Sequence, residues 1–332
     1  MFRQSHAVEL AIVAAMGLGA TFVSEPADAQ SGYPERTIRL VVPFAPGGNT
    51  DIMGRRYAAK VAGPLGQQLI VDNRAWAGGT VGAAEVARAK PDGYTLLVAT
   101  SSSHAINPTA MPGIAYDAVK DFTPISVLGT TVMAIAVHPS VQVKTLGQLV
   151  SEARSKPDVY SYGSAGVGSI NHLTGELFKM KAGGLKITHV PYKGSGASVA
   201  DLIGGQIPIV MTTLSAALVP HRAGRVRVLA VTNDERSVAA PDIPTAIEAG
   251  VPDMIAYTFA AILAPGGTPR PIVDRIYAAT AKIMADPAFQ KELVGLGAEP
   301  IKNSNPDRAL KFIQTEIARW YPVIKATGTK AR

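Results

Sequence analysis

The sequence predicts an α/β fold that is divided into two lobes. Apolar runs of strand length alternate with helical patterns along the chain after residue 30, which favours parallel sheets with crossover helices. Two extended segments, "TTVMAIAVHPS" and "IAYTFAAILAP", are interpreted as crossings between a discontinuous first lobe and an inserted second lobe. With 332 residues, 47% of them apolar and 17% charged, the chain is long enough to bury a large core.

The first thirty residues have the pattern of a secretory signal. Arg3 precedes a mostly apolar stretch at residues 7–23, and Ala27 and Ala29 supply the small side chains of a cleavage site. The apolar stretch is shorter than the roughly 20 residues of a membrane span, so a cleaved signal peptide at residues 1–29 is favoured over an anchor. Because the sequence has no cysteine, it has neither a disulfide framework nor a lipid-attachment site. The periplasm is the predicted location.

Composition and missing motifs exclude several classes of function. The net charge is +7, but there is no block of consecutive Lys or Arg and aromatic residues make up only 6%, so nucleic acid is not an expected partner. The usual hydrolase, metalloprotease, nucleotide and dinucleotide signatures are absent. No two histidines after residue 30 are three or four residues apart, as ligands on one helix would be. We therefore expect no catalysis, no metal and no cofactor.

Ten apolar runs predict the strands. One helix is predicted to begin at Ser169, because Leu173 and Leu177 fall on one face after it. Asn305 and Pro306 form the start signal of a long C-terminal helix. The predicted strands are "TIRLVVPF", "QLIVDN", "YTLLVAT", "ISVLG", "VMAIAVH", "VYSYGS", "KITHVPY", "IPIVMTT", "VRVLAVT" and "TFAAILAP".

The loop at residues 41–51, "VVPFAPGGNTD", joins a buried strand to a helix within a few residues. Such a helix start exposes backbone N–H groups, which attract anions. Three further loops, "VATSSSH", "YGSAGVGSINH" and "VPYKGSGAS", also follow strands and are rich in glycine and hydroxyl groups. Any one of them also fits an ordinary turn or cap, but together they place donors at strand carboxyl ends, where open α/β sheets bind ligands.

These donors are largely neutral, which limits the binding mechanism. Backbone N–H groups, hydroxyls and helix dipoles can hold a carboxylate without a buried arginine. Such a site releases its ligand more readily than a buried ion pair does. The loops therefore favour a carrier of small organic anions.

With these motifs in this order, the chain resembles the Bug-type solute receptors of tripartite tricarboxylate transporters. The likeness also includes "LGQQLIVDNRAWAGGTVGAAEVARAKPDGYTLLVAT", "IPTAIEAG", "GLGAEP" and "RWYPVIKATG". It implies a two-lobed periplasmic binding protein of type II, a Venus flytrap with two interdomain crossings. The predicted first lobe comprises residues 30–131 and 256–332, and the second comprises residues 132–255.

Motif by motif, the resemblance also implies the ligand-binding residues. The first loop is expected to supply the first set of contacts, and the other loops the rest. Phe259 stands where the family often has tryptophan and is expected in a pocket wall. The predicted ligand-binding residues are Pro46, Gly47, Gly48, Asn49, Thr50, Asp51, Ser101, Ser102, Ser103, Gly163, Ser164, Gly168, Ser169, Tyr192, Lys193 and Phe259.

The resemblance implies a monomeric receptor that presents its ligand to integral-membrane permease subunits. The expected ligand is a small organic anion: a di- or tricarboxylate, an aromatic carboxylate or an acidic amino acid. Two alternatives stay open. One is a ligand-sensing receptor for a membrane sensor kinase. The other is a serine hydrolase that uses Ser164 or Ser169 with His172.

Overall fold

Ten strands form one curled sheet within residues 32–329, the part of the chain that the computed structural model describes. The predicted signal peptide lies outside these residues. The strands are β1 (Ile38–Val42), β2 (Leu69–Asn73), β3 (Thr95–Ala99), β4 (Phe122–Val137), β5 (Ser161–Ser164), β6 (Thr188–Pro191), β7 (Ile209–Thr213), β8 (Arg227–Val231), β9 (Tyr257–Pro265) and β10 (Ala298–Pro300).

Helices connect most of these strands. None of the helices in the described part is both long enough and apolar enough to cross a membrane. The helices are α1 (Asn49–Leu65), α2 (Thr80–Ala87), α3 (Asn107–Ala110), α4 (Leu146–Ser155), α5 (Ile170–Lys181), α6 (Ser195–Ile203), α7 (Leu214–Arg222), α8 (Arg270–Met284), α9 (Pro287–Gly295) and α10 (Pro306–Thr327).

The sheet has two halves that share one strand. In the first half the order is β2-β1-β3-β9-β4, with β1 parallel to both β2 and β3. In the second half the order is β4-β7-β5-β6, with β5 parallel to both β6 and β7. The antiparallel strands β4 and β9 join the two parallel sets. The predicted two-lobed α/β fold is confirmed.

Strand β4 crosses from one half to the other. Its pairing with β9 ends at Val132, and its pairing with β7 begins at Met133. At this point the Met133 carbonyl accepts from the Thr232 N–H at 3.0 Å, and the Thr232 carbonyl accepts from the Ala256 N–H at 2.8 Å. Both predicted crossing segments therefore meet at one hydrogen-bonded junction. The exact lobe boundaries stay a prediction.

The expectation of separate strands "ISVLG" and "VMAIAVH" was wrong, because β4 includes both. The residues between them are Thr130 and Thr131, which suit an extended, buried backbone and contain no turn signal. The short strand β10, which pairs with β4 at Gly129 to Thr131, was not predicted.

Helices cover both faces of each half, so alternate strand residues enter different cores. In β1, Leu40 and Val42 pack with α1 on one face, whereas Val41 packs on the other. In β4, Ile135 and Ala136 likewise belong to separate clusters. This two-sided burial explains the continuous apolar runs in the sequence.

Helix starts follow the strand ends as predicted. Helix α5 begins after Ser169, whose hydroxyl accepts from the His172 N–H, and α10 begins after Asn305, whose side chain accepts from the Arg308 N–H. Helices α1, α6 and α7 begin after residues whose side chains form no capping hydrogen bond, namely Gly48, Gly194 and Thr213. Their first N–H groups are therefore not capped by the N-cap side chain.

Candidate functional site

A small cavity, here called the inner cavity, lies between loops that follow strands of both halves. Its volume is about 20 Å³, room for about one water molecule. None of the described residues in its wall carries a charge. The wall is formed by Phe44, Gly48, Asn49, Thr50, Thr100, Ser102, Ala165, Ile170, Asn171, Ser195, Thr213 and Thr258.

Four helix N-termini meet at the inner cavity. Its wall includes Asn49 of α1, Ile170 of α5 and Ser195 of α6, each the first residue of its helix, and Thr213, which precedes α7. Each N-terminus carries roughly half a positive charge from the aligned peptide dipoles. The cavity is therefore electropositive although its wall has no cationic side chain, and it suits an anion.

Side-chain hydrogen bonds fix the orientation of the wall residues. The Asn49 Oδ1 accepts from the Ser215 hydroxyl at 2.7 Å and from the Thr131 hydroxyl at 3.2 Å. The amide Nδ2 of Asn49 consequently remains as a donor for the cavity. Across the cleft, the Ser102 Oγ accepts from the Ile170 N–H at 2.9 Å.

A second, outer cavity of about 530 Å³ adjoins the first and shares Phe44 and Ala165 with it. Most of its wall is apolar, and Lys193 is the one charged residue in it among the described residues. The wall consists of Phe44, Trp76, Ala77, Gly78, Ala165, Gly166, Val167, Pro191, Tyr192, Lys193 and Ala197. The two cavities together offer a polar end and an apolar body.

The loops of the two halves approach each other through glycines. A Cβ on Gly48 would lie 2.6 Å from the Ser195 Oγ, and a Cβ on Gly196 would lie 2.5 Å from the Pro46 carbonyl oxygen. Neither residue has a positive φ angle. These glycines are therefore required by the approach of the two loops, and the structure is a closed form.

Asp51 holds the first loop in place. Its carboxylate accepts from the Gly47 N–H at 3.0 Å, from Asn73 Nδ2 at 2.9 Å and from the Arg55 guanidinium at 3.0 Å. Burial raises the pKa of Asp51, but the hydrogen bonds from Arg55, Gly47 and Asn73 and the charge of Arg55 outweigh it. The net effect lowers the pKa. The carboxylate is thus ionised and is held by donors from the loop, from α1 and from β2.

The sixteen predicted ligand-binding residues fall into three groups by their location in the structure. Four of them line the inner cavity: Gly48, Asn49, Thr50 and Ser102. Tyr192 and Lys193 line the outer cavity. The remaining predicted residues contribute to neither wall and are Pro46, Gly47, Asp51, Ser101, Ser103, Gly163, Ser164, Gly168, Ser169 and Phe259.

Several residues outside the walls shape the loops. Ser101 donates to the Tyr257 carbonyl, and Ser103 is hydrogen-bonded to His104 at 2.9 Å. Ser169 donates to the Gly166 carbonyl at 2.6 Å. Phe259, expected in a pocket wall, is fully buried and packs edge-on against Phe312. A ligand contact by any of these residues stays a prediction.

Residues of both walls were absent from the predicted set. Asn171, Ser195 and Thr213 face the inner cavity and lie at helix starts, so the position after each strand was their signal. Trp76 and Gly78 face the outer cavity. The glycine pair in "AWAGG", which follows β2 and precedes α2, resembles the pair in "APGGN" and could have identified this loop.

His172 and Glu176 are an i, i+4 pair on α5 whose side chains are largely buried. Their side chains are 12% and 22% exposed, and the His172 ring stacks on His189 at a centroid distance of 4.1 Å. Burial lowers the pKa of His189 to about 3, so its ring is neutral at physiological pH. His189 Nε2 is hydrogen-bonded to the Ser164 hydroxyl at 2.6 Å. Ser164 is fully buried in this closed form.

Fold and cavity together define an anion receptor with two lobes. The sequence profile described as "Tripartite tricarboxylate transporter family receptor" matches residues 53–329, and the chain belongs to this family. The chain is 35% identical over 311 residues to protein BugT of Bordetella pertussis. The alignment covers 93% of this chain and 94% of BugT. The predicted family is thereby confirmed.

Two solved structures resemble the whole described fold. The periplasmic binding protein BugD superimposes with a TM-score of 0.86 at 31% identity, covering 90% of this chain and 100% of BugD. R. palustris Rpa4515 with adipate superimposes with a TM-score of 0.87 at 36% identity, covering 90% of this chain and 99% of that protein. Both support the assignment to periplasmic solute receptors.

Replacing Asp51 with Asn is expected to loosen the first loop. The neutral amide keeps the shape but loses the charge that Arg55 and the Gly47 N–H require, so unfolding should need on the order of 1 to 3 kcal/mol less free energy. Denaturant unfolding at neutral pH measures this loss. Asp274→Asn is the matched control, because Asp274 pairs with Arg270 on an exposed helix surface.

The stability lost in Asp51→Asn is expected to depend on pH. Because the folded-state pKa of Asp51 is below its ordinary value, its contribution to stability is complete above about pH 4 and is lost as the pH falls through the lowered pKa. The stability difference between wild type and Asp51→Asn should therefore shrink in acid. A difference that stays constant down to pH 2 would contradict this role of the carboxylate.

Proposed function

We propose that this protein is a periplasmic receptor that binds a small organic carboxylate between its lobes and delivers it to a tripartite tricarboxylate-type membrane permease. The observation that carries the proposal is the meeting of four helix N-termini at a cavity without charged side chains. Family membership and the adipate-bound relative Rpa4515 support it. The proposed role is binding and delivery, without a catalytic step.

The carboxylate is placed in the inner cavity. There its oxygens accept from backbone N–H groups at the starts of α1 and α6, from the Asn49 amide and from the Thr50 hydroxyl. All these donors are neutral, and the positive potential comes from peptide dipoles. Release leaves no buried cation unpaired, so the ligand can pass to a partner without the penalty of a broken buried ion pair.

Entry of the ligand requires the loops to separate. The inner cavity holds about one water molecule, and the contacts of Gly48 with Ser195 and of Gly196 with Pro46 close it. Rotation about the junction of Met133, Thr232 and Ala256 separates the two loop sets. Binding then favours the closed form, because only that form surrounds the anion with both sets of donors.

Location and partners are proposed by analogy with the family. The segment at residues 1–29 is proposed to direct export to the periplasm and to be removed there. Permease subunits are the proposed recipients of the ligand. Co-purification of the exported receptor with permease subunits, with membrane sensor kinases as the competing class, tests this assignment.

A panel of carboxylates tests the proposed binding. At least one aliphatic or aromatic carboxylate should raise the melting temperature and bind in calorimetry. Gly48→Val should abolish that binding, because its Cβ would overlap the Ser195 hydroxyl at 2.6 Å. Thr50→Ala should lose only about 0.5 to 1.5 kcal/mol, since it removes one hydroxyl. If no member of the panel binds the folded wild type, the proposed function is wrong.

Closure itself is measurable by small-angle scattering. A saturating carboxylate should reduce the radius of gyration of the wild type. Gly196→Ala should prevent this reduction and weaken binding at least tenfold, or about 1.4 kcal/mol, because its methyl group would meet the Pro46 carbonyl. Gly204→Ala is the control, since its Cβ has no neighbour closer than 3.5 Å. Equal closure in both variants would argue against this loop contact.

A further inference from the structure

Trp76 occupies an unusual position in the wall of the outer cavity. Its φ angle is 146°, and the next residue, Ala77, has a φ of 47°. Residues other than glycine rarely adopt such angles, so the backbone is strained at both positions. The Trp76 side chain is nevertheless 56% exposed, so burial in the core does not explain its presence. Strained backbone with an exposed large ring beside a cavity indicates a ligand contact.

The rest of the outer wall is also apolar. The Tyr192 hydroxyl donates to Asp201 Oδ2 at 2.9 Å, which leaves the ring of Tyr192 as the surface in the cavity. Phe44, Val167 and Pro191 add further apolar surface. A charged or strongly polar ligand group placed here would lose water and find few partners.

Lys193 is the exception in this wall. Its ammonium group lies 5.0 Å from the centroid of the Trp76 ring, within cation–π range. Among the described residues it forms no ion pair within 4 Å. Lys193 therefore helps to orient the indole.

The two cavities differ in size and in the chemistry of their walls, so they suit different parts of one ligand. The inner cavity is small, about 20 Å³, and its wall is rich in polar groups, so it suits only a small polar end group, whereas the outer cavity has about 530 Å³ and mostly apolar walls. Phe44 and Ala165 line both cavities, so the two cavities are adjacent. A second carboxylate on an aliphatic chain would lie among apolar side chains with Lys193 as its sole cationic partner in that wall.

We propose that the ligand is an aromatic carboxylate, with its carboxylate in the inner cavity and its ring against Trp76 in the outer cavity. Trp76 is then the residue that determines specificity. This inference rests on the proposed receptor function and narrows it to one chemical class. A planar ring gains apolar burial and also stacks on the indole, whereas the chain of an aliphatic dicarboxylate gains burial without stacking.

Calorimetry with benzoate, 2-naphthoate and adipate tests the proposal. In the wild type, at least one aromatic probe should bind ten or more times more tightly than adipate. Trp76→Gly fits the positive φ without strain and should weaken the aromatic probe at least tenfold, with adipate changed less than threefold. Trp76→Phe should restore part of the aromatic affinity. Tyr321→Ala, which removes an exposed ring on α10 outside both walls, should change neither.

Fluorescence gives a second readout. The sequence contains two tryptophans, and the other one, Trp320, is only 2% exposed in the core. An aromatic probe should quench or shift the emission of Trp320→Phe, which retains Trp76, and leave that of Trp76→Phe unchanged. Lys193→Met should weaken the aromatic probe by less than tenfold, because Lys193 orients the ring and is not the main anion partner.

The outcomes separate the two proposals. Tighter binding of adipate than of both aromatic probes, or equal aromatic affinity in folded Trp76→Gly and wild type, overturns the aromatic assignment and leaves the receptor function standing. Loss of adipate binding by more than a hundredfold in Lys193→Met also overturns it, because Lys193 would then pair with a second carboxylate. Absence of binding by all carboxylates refutes the receptor function itself.

Discussion

The convergence of four helix N-termini on one small space is the constraint on which the rest of the structure depends. Each N-terminus carries roughly half a positive charge, so the starts of α1, α5, α6 and α7 repel one another when the loops are together. An anion between them converts this repulsion into attraction. Under the proposed function, closure is thus coupled to occupancy through these dipoles and the hydrogen bonds that the helix starts donate.

Much of the fold was predictable because the responsible signals are local. The helix starts that were predicted at Ser169 and Asn305 depend on caps within a few residues. The strands were visible as apolar runs because both faces of the sheet are covered. The fusion of two predicted strands into β4 was missed because Thr130 and Thr131 are compatible with either a connection or a strand.

The site was predictable only in part because its walls are assembled from distant segments. Asn49 and Thr50 could be inferred from the first loop alone. Ser195 and Thr213 belong to the same wall only because α6 and α7 begin beside α1 in space. Gly48 and Gly196 have ordinary φ angles, and the reason for glycine there is the opposing loop. No local pattern contains that information.

The sharing of β4 between both halves has a consequence for folding. A single strand of 16 residues supplies pairing edges to β9 and β10 in one lobe and to β7 and β8 in the other. Loss of either lobe would strip partners from this strand and expose its buried face, so we expect neither lobe to fold alone. We therefore expect the receptor to melt in one cooperative transition, although its lobes move separately when the cleft opens.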